Sequence, residues 1–207
     1  MSERAVIADV PPNARAFCLG KLPQHADFVS RGLPAAEADE WFEILSRGLA
    51  AAREQTAELF ESAHDAAPPW RFVFSTGEPE SAWCAGAIAP SIDRTGRRFF
   101  FVAAADQLEW QQAIVHGAVL AGNLEEAVYR AIGESLTVDE AYAIAEETLC
   151  CCDPGSEAAL AKLTDLCGEG VWWTPGGPLH APRTEAGGAI TADLVCGFIV
   201  PSVELTQ

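Results

Sequence analysis

The sequence predicts a single α/β domain of the α+β type, an antiparallel meander of strands set against helices. Three observations carry this. The hydrophobic period switches along the chain from helical spacing to alternation and back. The three alternating segments that begin at Trp70 are joined by links too short for the crossover of a dozen or so residues that parallel neighbours need. The 207 residues, 49% hydrophobic and 21% charged, suffice for one core that buries roughly 70% of the unfolded chain's surface. No internal repeat or low-complexity linker divides them.

A polar lead, residues 1–15, reads as a flexible N-terminal segment ahead of one domain over 16–207. "ARAFCLGKL" has the aromatic and apolar content of a short strand, which Gly20 and Pro23 break into the loop "GKLPQHADFVSRGLP", residues 20–34. From Ala35 to about Ser62, Trp41, Ile44, Leu45, Leu49 and Ala52 recur at helical spacing, with Glu37, Glu40, Glu43, Arg47 and Arg53 mostly elsewhere on the wheel. Trp41 therefore reads as core. In "PPWRFVF" the prolines end that helix, and Trp70, Phe72 and Phe74 alternate with Arg71 and Val73 as in a half-buried strand. "STGEPES" is a turn, "AWCAGAIAP" a short strand whose small residues imply close packing, and "SIDRTGR" a reversal into the strand "RFFFVAA".

Beyond Asp106 the period is helical again, over 107–121 and 123–133, as one broken helix or two short ones. Thr137 with Glu140 three residues on forms a capping box that opens a helix to about Cys150. Another helix covers roughly 156–167, "GVWWTPGGP" is a last strand, and 176–188 is a Gly-rich loop. "TADLVCGFIV" fits a helix or a strand, and its pattern does not decide between them over 189–200.

The net charge is −17; residues 1–98 carry 10 basic and 14 acidic groups, residues 99–207 carry 3 and 16. Such a field repels nucleic acid and anionic lipid, so neither is expected as a partner. The acidic C-terminal half reads as a solvated face. Seven cysteines, an odd number with no C-x-x-C pair, indicate neither a disulfide framework nor a zinc knuckle and fit a reducing compartment. "MSERAVIADVPP" lacks a signal-type apolar core, and "AWCAGAIAP" and "FFFVAAA" fall short of the ~18 residues of a membrane span. Cytoplasmic location, without membrane insertion, is the expectation.

Candidate chemistry is sparse. A Walker loop needs G-x-x-x-x-G-K followed by a hydroxyl residue, but Arg15 stands in place of the first Gly and Leu22 in place of the hydroxyl. Cys150, Cys151 and Cys152 lie beside Glu146, Glu147 and Asp153, whose charges oppose thiolate formation. His25, His64, His116 and His180 occur singly, without the i, i+4 pairing that presents two metal ligands on a helix. No metal, cofactor or catalytic residue is expected. In "PSIDRTGRRFF", residues 90–100, Asp93 and Gly96 suit the first and fourth positions of a type I turn. Ser91 has neither a nearby histidine nor a G-x-S-x-G elbow.

Lys21, Arg31, Arg71, Arg94, Arg97 and Arg98, almost half of the 13 basic residues, lie in or next to these two loops and the strand between them. They either pair internally with Asp27 and Asp93 or form a basic spot for an acidic partner or a phosphate. The residues themselves favour internal pairing.

The order and spacing of these segments resemble the TagF (ImpM) family of type VI secretion-associated proteins. "GKLPQHADFVSRGLP" is similar to the family's G-K-L-P-x-x-G-D-F-V-x-R-x-L-P, with a tryptophan-bearing helix after it, here Trp41. "PPWRFVFSTG" resembles its P-x-W-R-F segment, "WCAGAIAPSIDRTGRRFFFV" its W-x-G and P-S-x-D-x-x-G-R segment, and "GVWWTPGGP" its later W-W. Two departures stand out: Ala26 replaces the Gly before Asp27, which disfavours positive φ there, and Phe100 replaces a Pro, which lets its strand pair further. The acidic C-terminal half is less family-like.

The resemblance implies a three-layer sandwich, a mainly antiparallel central sheet with helices on both faces. It implies a cytoplasmic, non-enzymatic regulator that represses type VI secretion post-translationally by binding the forkhead-associated (Fha) scaffold protein. The motif positions carried over, for interaction or for locking the loops, are Gly20, Lys21, Pro23, Asp27, Arg31, Trp41, Trp70, Arg71, Pro90, Ser91, Asp93, Arg94, Gly96 and Arg97. Two other readings stay open: an adaptor that binds a phosphoprotein or small GTPase through the basic loop cluster, and a hydrolase or thiol enzyme using Ser91 or a cysteine.

Overall fold

The computed structural model describes residues 13–77, 82–150 and 169–202. Most of the N-terminal lead, part of the turn after Ser75, and the helix expected over 156–167 with Cys151, Cys152 and Cys167 lie outside the described residues.

The chain opens with β1 (Arg15–Gly20) and β2 (Val29–Arg31), then α1 (Ala35–Thr56), a 3-10 turn (Ala57–Leu59) and α2 (Phe60–Ala66). The meander follows as β3 (Trp70–Ser75), β4 (Trp83–Ile92) and β5 (Arg98–Leu108). Next come α3 (Trp110–Gly133) and α4 (Val138–Cys150), and then β6 (Gly170–Thr174), β7 (Arg183–Ala186) and a last helix, α5 (Ala192–Ile199). The strands form one seven-stranded sheet, ordered β2-β1-β5-β4-β3-β6-β7. All its pairs are antiparallel.

Alternation in the central strands builds a core on each face. Ala85, Ala87 and Ala89 of β4 and Phe101, Ala103 and Ala105 of β5 face α3 and α4, against Leu120, Leu124, Val128 and Ala141. Ile88, Phe100, Val102 and Ala104 point the other way, toward Leu45, Leu49, Phe60 and Phe198 of α1, α2 and α5. The expected three-layer sandwich is therefore the fold. The alanine-rich strands let α3 approach closely, as small residues on a sheet do.

Three local expectations change, and one left open is decided. The long first helix stops at Thr56 and resumes as α2, because Ala57 takes a positive φ of 48°. Residues 107–121 and 123–133 form neither a broken helix nor two: α3 is continuous, opened by a Glu109–Gln112 capping box. Its buried stripe, Ala113, Gly117, Leu120, Leu124, Val128 and Ala131, runs unbroken past Gly122, and that packing outweighs the ~1 kcal/mol cost of glycine. The loop read over 176–188 contains β7, a polar edge strand on β6. The undecided tail is helical, with the Thr191 hydroxyl accepting from the Leu194 N–H.

Candidate functional site

The two motif loops meet at one pole of the sheet. β1 leaves the sheet at Gly20, whose φ of +130° and contact with the Phe100 carbonyl oxygen leave no room for a side chain. The next residue, Lys21, bonds through its N–H to that carbonyl at 2.9 Å. Leu22 is buried, and Pro23 sits in a turn closed by the His25 N–H on the Leu22 carbonyl, 2.9 Å. β4 carries Pro90 and Ser91 to its end, and Asp93 begins the reversal, its carbonyl accepting from Gly96 N–H at 2.9 Å with Gly96 at φ +82°. This i to i+3 bond is the turn that the sequence predicts.

Asp93, only 2% exposed, joins the loops. Its Oδ1 accepts from the Thr95 N–H (2.8 Å), the Thr95 hydroxyl (2.7 Å) and the Arg97 N–H (3.0 Å). Its Oδ2 accepts from Arg97 Nε at 2.6 Å and Lys21 Nζ at 3.2 Å. Burial pushes the Asp93 carboxyl up, but these donors outweigh it and hold the group well below the usual carboxylate range. Further bonds complete the junction: Ser91 Oγ donates to the Lys21 carbonyl (2.7 Å), the Arg94 N–H to the His25 carbonyl (2.8 Å), and Arg97 Nη2 to the Ala26 carbonyl. Arg97 also pairs with exposed Asp27 at 3.5 Å.

The junction extends to α4, where the Val138 N–H at the helix start donates to His25 Nε2 at 3.0 Å and Arg31 Nε donates to Asp139 at 2.5 Å. His25 is a residue that sequence reasoning missed; its partner lies 113 positions away. Ala26 is not among the positive-φ residues, and Phe100 pairs with Pro90 on β4, as its replacement of a proline allows.

Apart from Arg94, the basic residues in and beside the loops pair internally but with dispersed partners. Arg71 forms a two-bond pair with Glu125 of α3 (2.8 and 3.1 Å), and Arg98 one with Asp65 of α2 (2.9 and 2.7 Å). Lys21, Arg97 and Arg94 remain at the loops, and the exposed Arg94 side chain has no ion pair among the described residues. Trp70 is core, stacked on Phe198 with centroids 4.8 Å apart. Trp41 is only half-buried, between Phe17 and Phe72. Beside the loops the rings of Phe28, Phe42 and Phe99 lie 5.0–6.0 Å apart, and Phe42 is 40% exposed. Helical spacing did not single out Phe42, because it falls on the outer side of α1.

These bonds limit the chemistry. The Ser91 hydroxyl and both Asp93 oxygens are occupied, so neither is poised as nucleophile or base. Burial pushes the Cys18 thiol up to about 12 and that of Cys84 well above its ordinary value, away from thiolate. Among the described residues no group of three His, Cys, Asp or Glu is placed to hold a metal, and no helix is long and apolar enough to cross a membrane.

The fold is similar to the crystal structure of PA0076 from Pseudomonas aeruginosa PAO1, with a TM-score of 0.67 over 89% of this chain and 93% of that one, at 22% identity. Among curated proteins none matches the sequence. The sequence profile of the TagF N-terminal domain, type VI secretion system-associated, matches residues 17–147, a span that holds both motif loops and the junction between them. With more than half of its length inside that match, the chain belongs to the TagF family of type VI secretion system-associated proteins.

Proposed function

We propose that this protein is a cytoplasmic, non-enzymatic regulator that represses type VI secretion by occupying a surface of the forkhead-associated (Fha) scaffold protein. The observation that supports it is the use of the motif polar groups: Asp93, Ser91, Lys21 and Arg97 bond to one another and to backbone. They form a rigid frame rather than a reactive centre. What the frame presents outward is a rim of exposed Phe42, Asp27 and Arg94 beside half-buried Phe28, the mixture of aromatic and Arg groups that protein interfaces favour. Dispersal of the cations weighs against the phosphate-receiving adaptor.

The test is co-purification from cell extract with the tagged protein, alongside Phe42→Ala and Arg94→Glu variants. Recovery of the scaffold with the parent, reduced about tenfold or more in the variants, is the expected result. Absence of the scaffold at a stringency that keeps a known pair overturns the reading.

A further inference from the structure

At the opposite pole of the sheet from the joined loops, a cavity of about 330 Å³ opens between α1 and the ends of β1, β3, β4 and β5. Phe17, Trp41 and Phe74 form its aromatic wall, with Glu37 and Glu40 of α1 and Asp106 of β5 among its polar groups. The volume is at the lower end of small-ligand sites, and the apolar wall with a few convergent polar groups is their usual composition.

The charge balance of the lining is uneven. Asp106, 7% exposed, is held by Arg15 through Nε to Oδ1 at 2.8 Å and Nη2 to Oδ2 at 2.7 Å, and the same Nη2 pairs with Glu37. One guanidinium thus serves two carboxylates. Glu40 has neither ion pair nor hydrogen bond among the described residues, and the Trp41 indole N–H has no partner there either. Among the described residues, three carboxylates, of which Glu40 is exposed, face one cation around an aromatic recess. An anion is repelled here, in a chain already at −17, and a neutral apolar ligand gains nothing from the exposed Glu40 carboxylate. A cation on an apolar stem meets both demands, its stem along Phe17 and Phe74 and its charge between Glu40 and the Trp41 face. The lining also includes Gln107, whose φ of +57° is unusual for a non-glycine residue. Gln107 stands at the β-bulge where the β4–β5 register shifts.

We propose that this cavity binds a guanidinium or primary ammonium carried on a short apolar stem. The group comes either from a small free metabolite or from an Arg or Lys side chain of a protein segment. The site is independent of the scaffold reading, because it shares none of the residues that bond at the Asp93 junction; of the loop 20–34 only Leu33 lines it.

The experiment is an NMR titration of the full chain with n-butylguanidinium, beside N-butylurea, its neutral isostere, and pentanoate. The expected result is saturable binding of the cation with shifts at Trp41, and no saturable binding of the urea or the carboxylate. Glu40→Gln weakens the cation about fivefold, as loss of one ion pair should. Glu126→Gln, the same charge change on the exposed side of α3, leaves it unchanged. Tighter binding of N-acetylarginine methylamide than of agmatine assigns the group to a protein segment, the reverse order to a free metabolite; both outcomes support the site. Equal binding of N-butylurea, equal loss in the two Gln variants, or no saturation by the cation overturns it.

Discussion

Asp93 carries the connection between the two motif loops because it answers five donors from three residues while itself buried. Asp93→Ala removes all five acceptor contacts and leaves the Lys21 amine, its side chain 13% exposed, without its partner. The expected loss is about 2–4 kcal/mol, the range for breaking a buried charged network. Chemical denaturation of parent and variant measures it, and an unchanged midpoint would show that the loops hold without the carboxylate. Arg97→Ala destabilises less, since Arg97 is 56% exposed and keeps one end in water. At this scale the sequence was readable where partners are local: Asp93, Gly96 and Arg97 stand within five positions. Arg71, Arg31 and Arg98 pair internally, but with Glu125, Asp139 and Asp65 rather than Asp27 or Asp93, because these carboxylates come from helices whose docking no local pattern specifies.

Elements are fixed by what packs on them, and two helix glycines separate that effect from intrinsic propensity. Gly48 of α1 lies where the helix crosses α5: a Cβ there would stand 2.5 Å from Val195 Cβ and 2.7 Å from the Ala192 carbonyl oxygen. Gly122 of α3 has only the tip of Arg71 near it, at 4.0 Å. Alanine is favoured over glycine in a helix by up to about 1 kcal/mol, so Gly122→Ala raises stability by that order. In Gly48→Ala the gain is outweighed by an overpacking cost of about 1–3 kcal/mol, and stability falls. Thermal melts of the two variants should therefore move in opposite directions; a rise in both would mean that α1 and α5 separate freely. The same competition explains the sequence reading of the elements. The meander was legible because its strands alternate and its turns are short. α3 was read as interrupted at Gly122, a break that packing overrides, and β7 went unseen because "RTEA" is polar and pairs only at the sheet edge.

For the whole molecule, composition gave one core's worth of apolar surface, and the structure divides it into two layers that share a sheet. The layer on the α1 side encloses His64, whose Nε2–H donates to the Phe99 carbonyl at 2.7 Å. Burial lowers the pKa of His64, more than the Phe99 and Asp65 contacts raise it, and burial with the nearby Arg183 lowers that of His180. Both rings are thus held neutral in the fold, whereas in the unfolded chain each takes a proton near pH 6.5. The unfolded state then binds more protons below that value, so stability is full above about pH 7 and declines as pH falls toward 5. Asp93 acts lower on the scale: its carboxyl is depressed, so its contribution is present above the ordinary carboxylate value and is lost below about pH 4. Asp106, pushed up by burial, opposes this just above that value. Melting temperatures from pH 8 to 3 should trace a plateau, a first decline between about 7 and 5, and a steeper fall below about 4. The double variant His64→Gln, His180→Gln should lower the plateau but flatten the first decline. A parent profile that stays level from pH 8 to 5 would mean that both rings accept a proton inside the fold, and the acid sensitivity would then rest on the depressed carboxylates, Asp93 of the joined loops and the Arg98-bonded Asp65 among them.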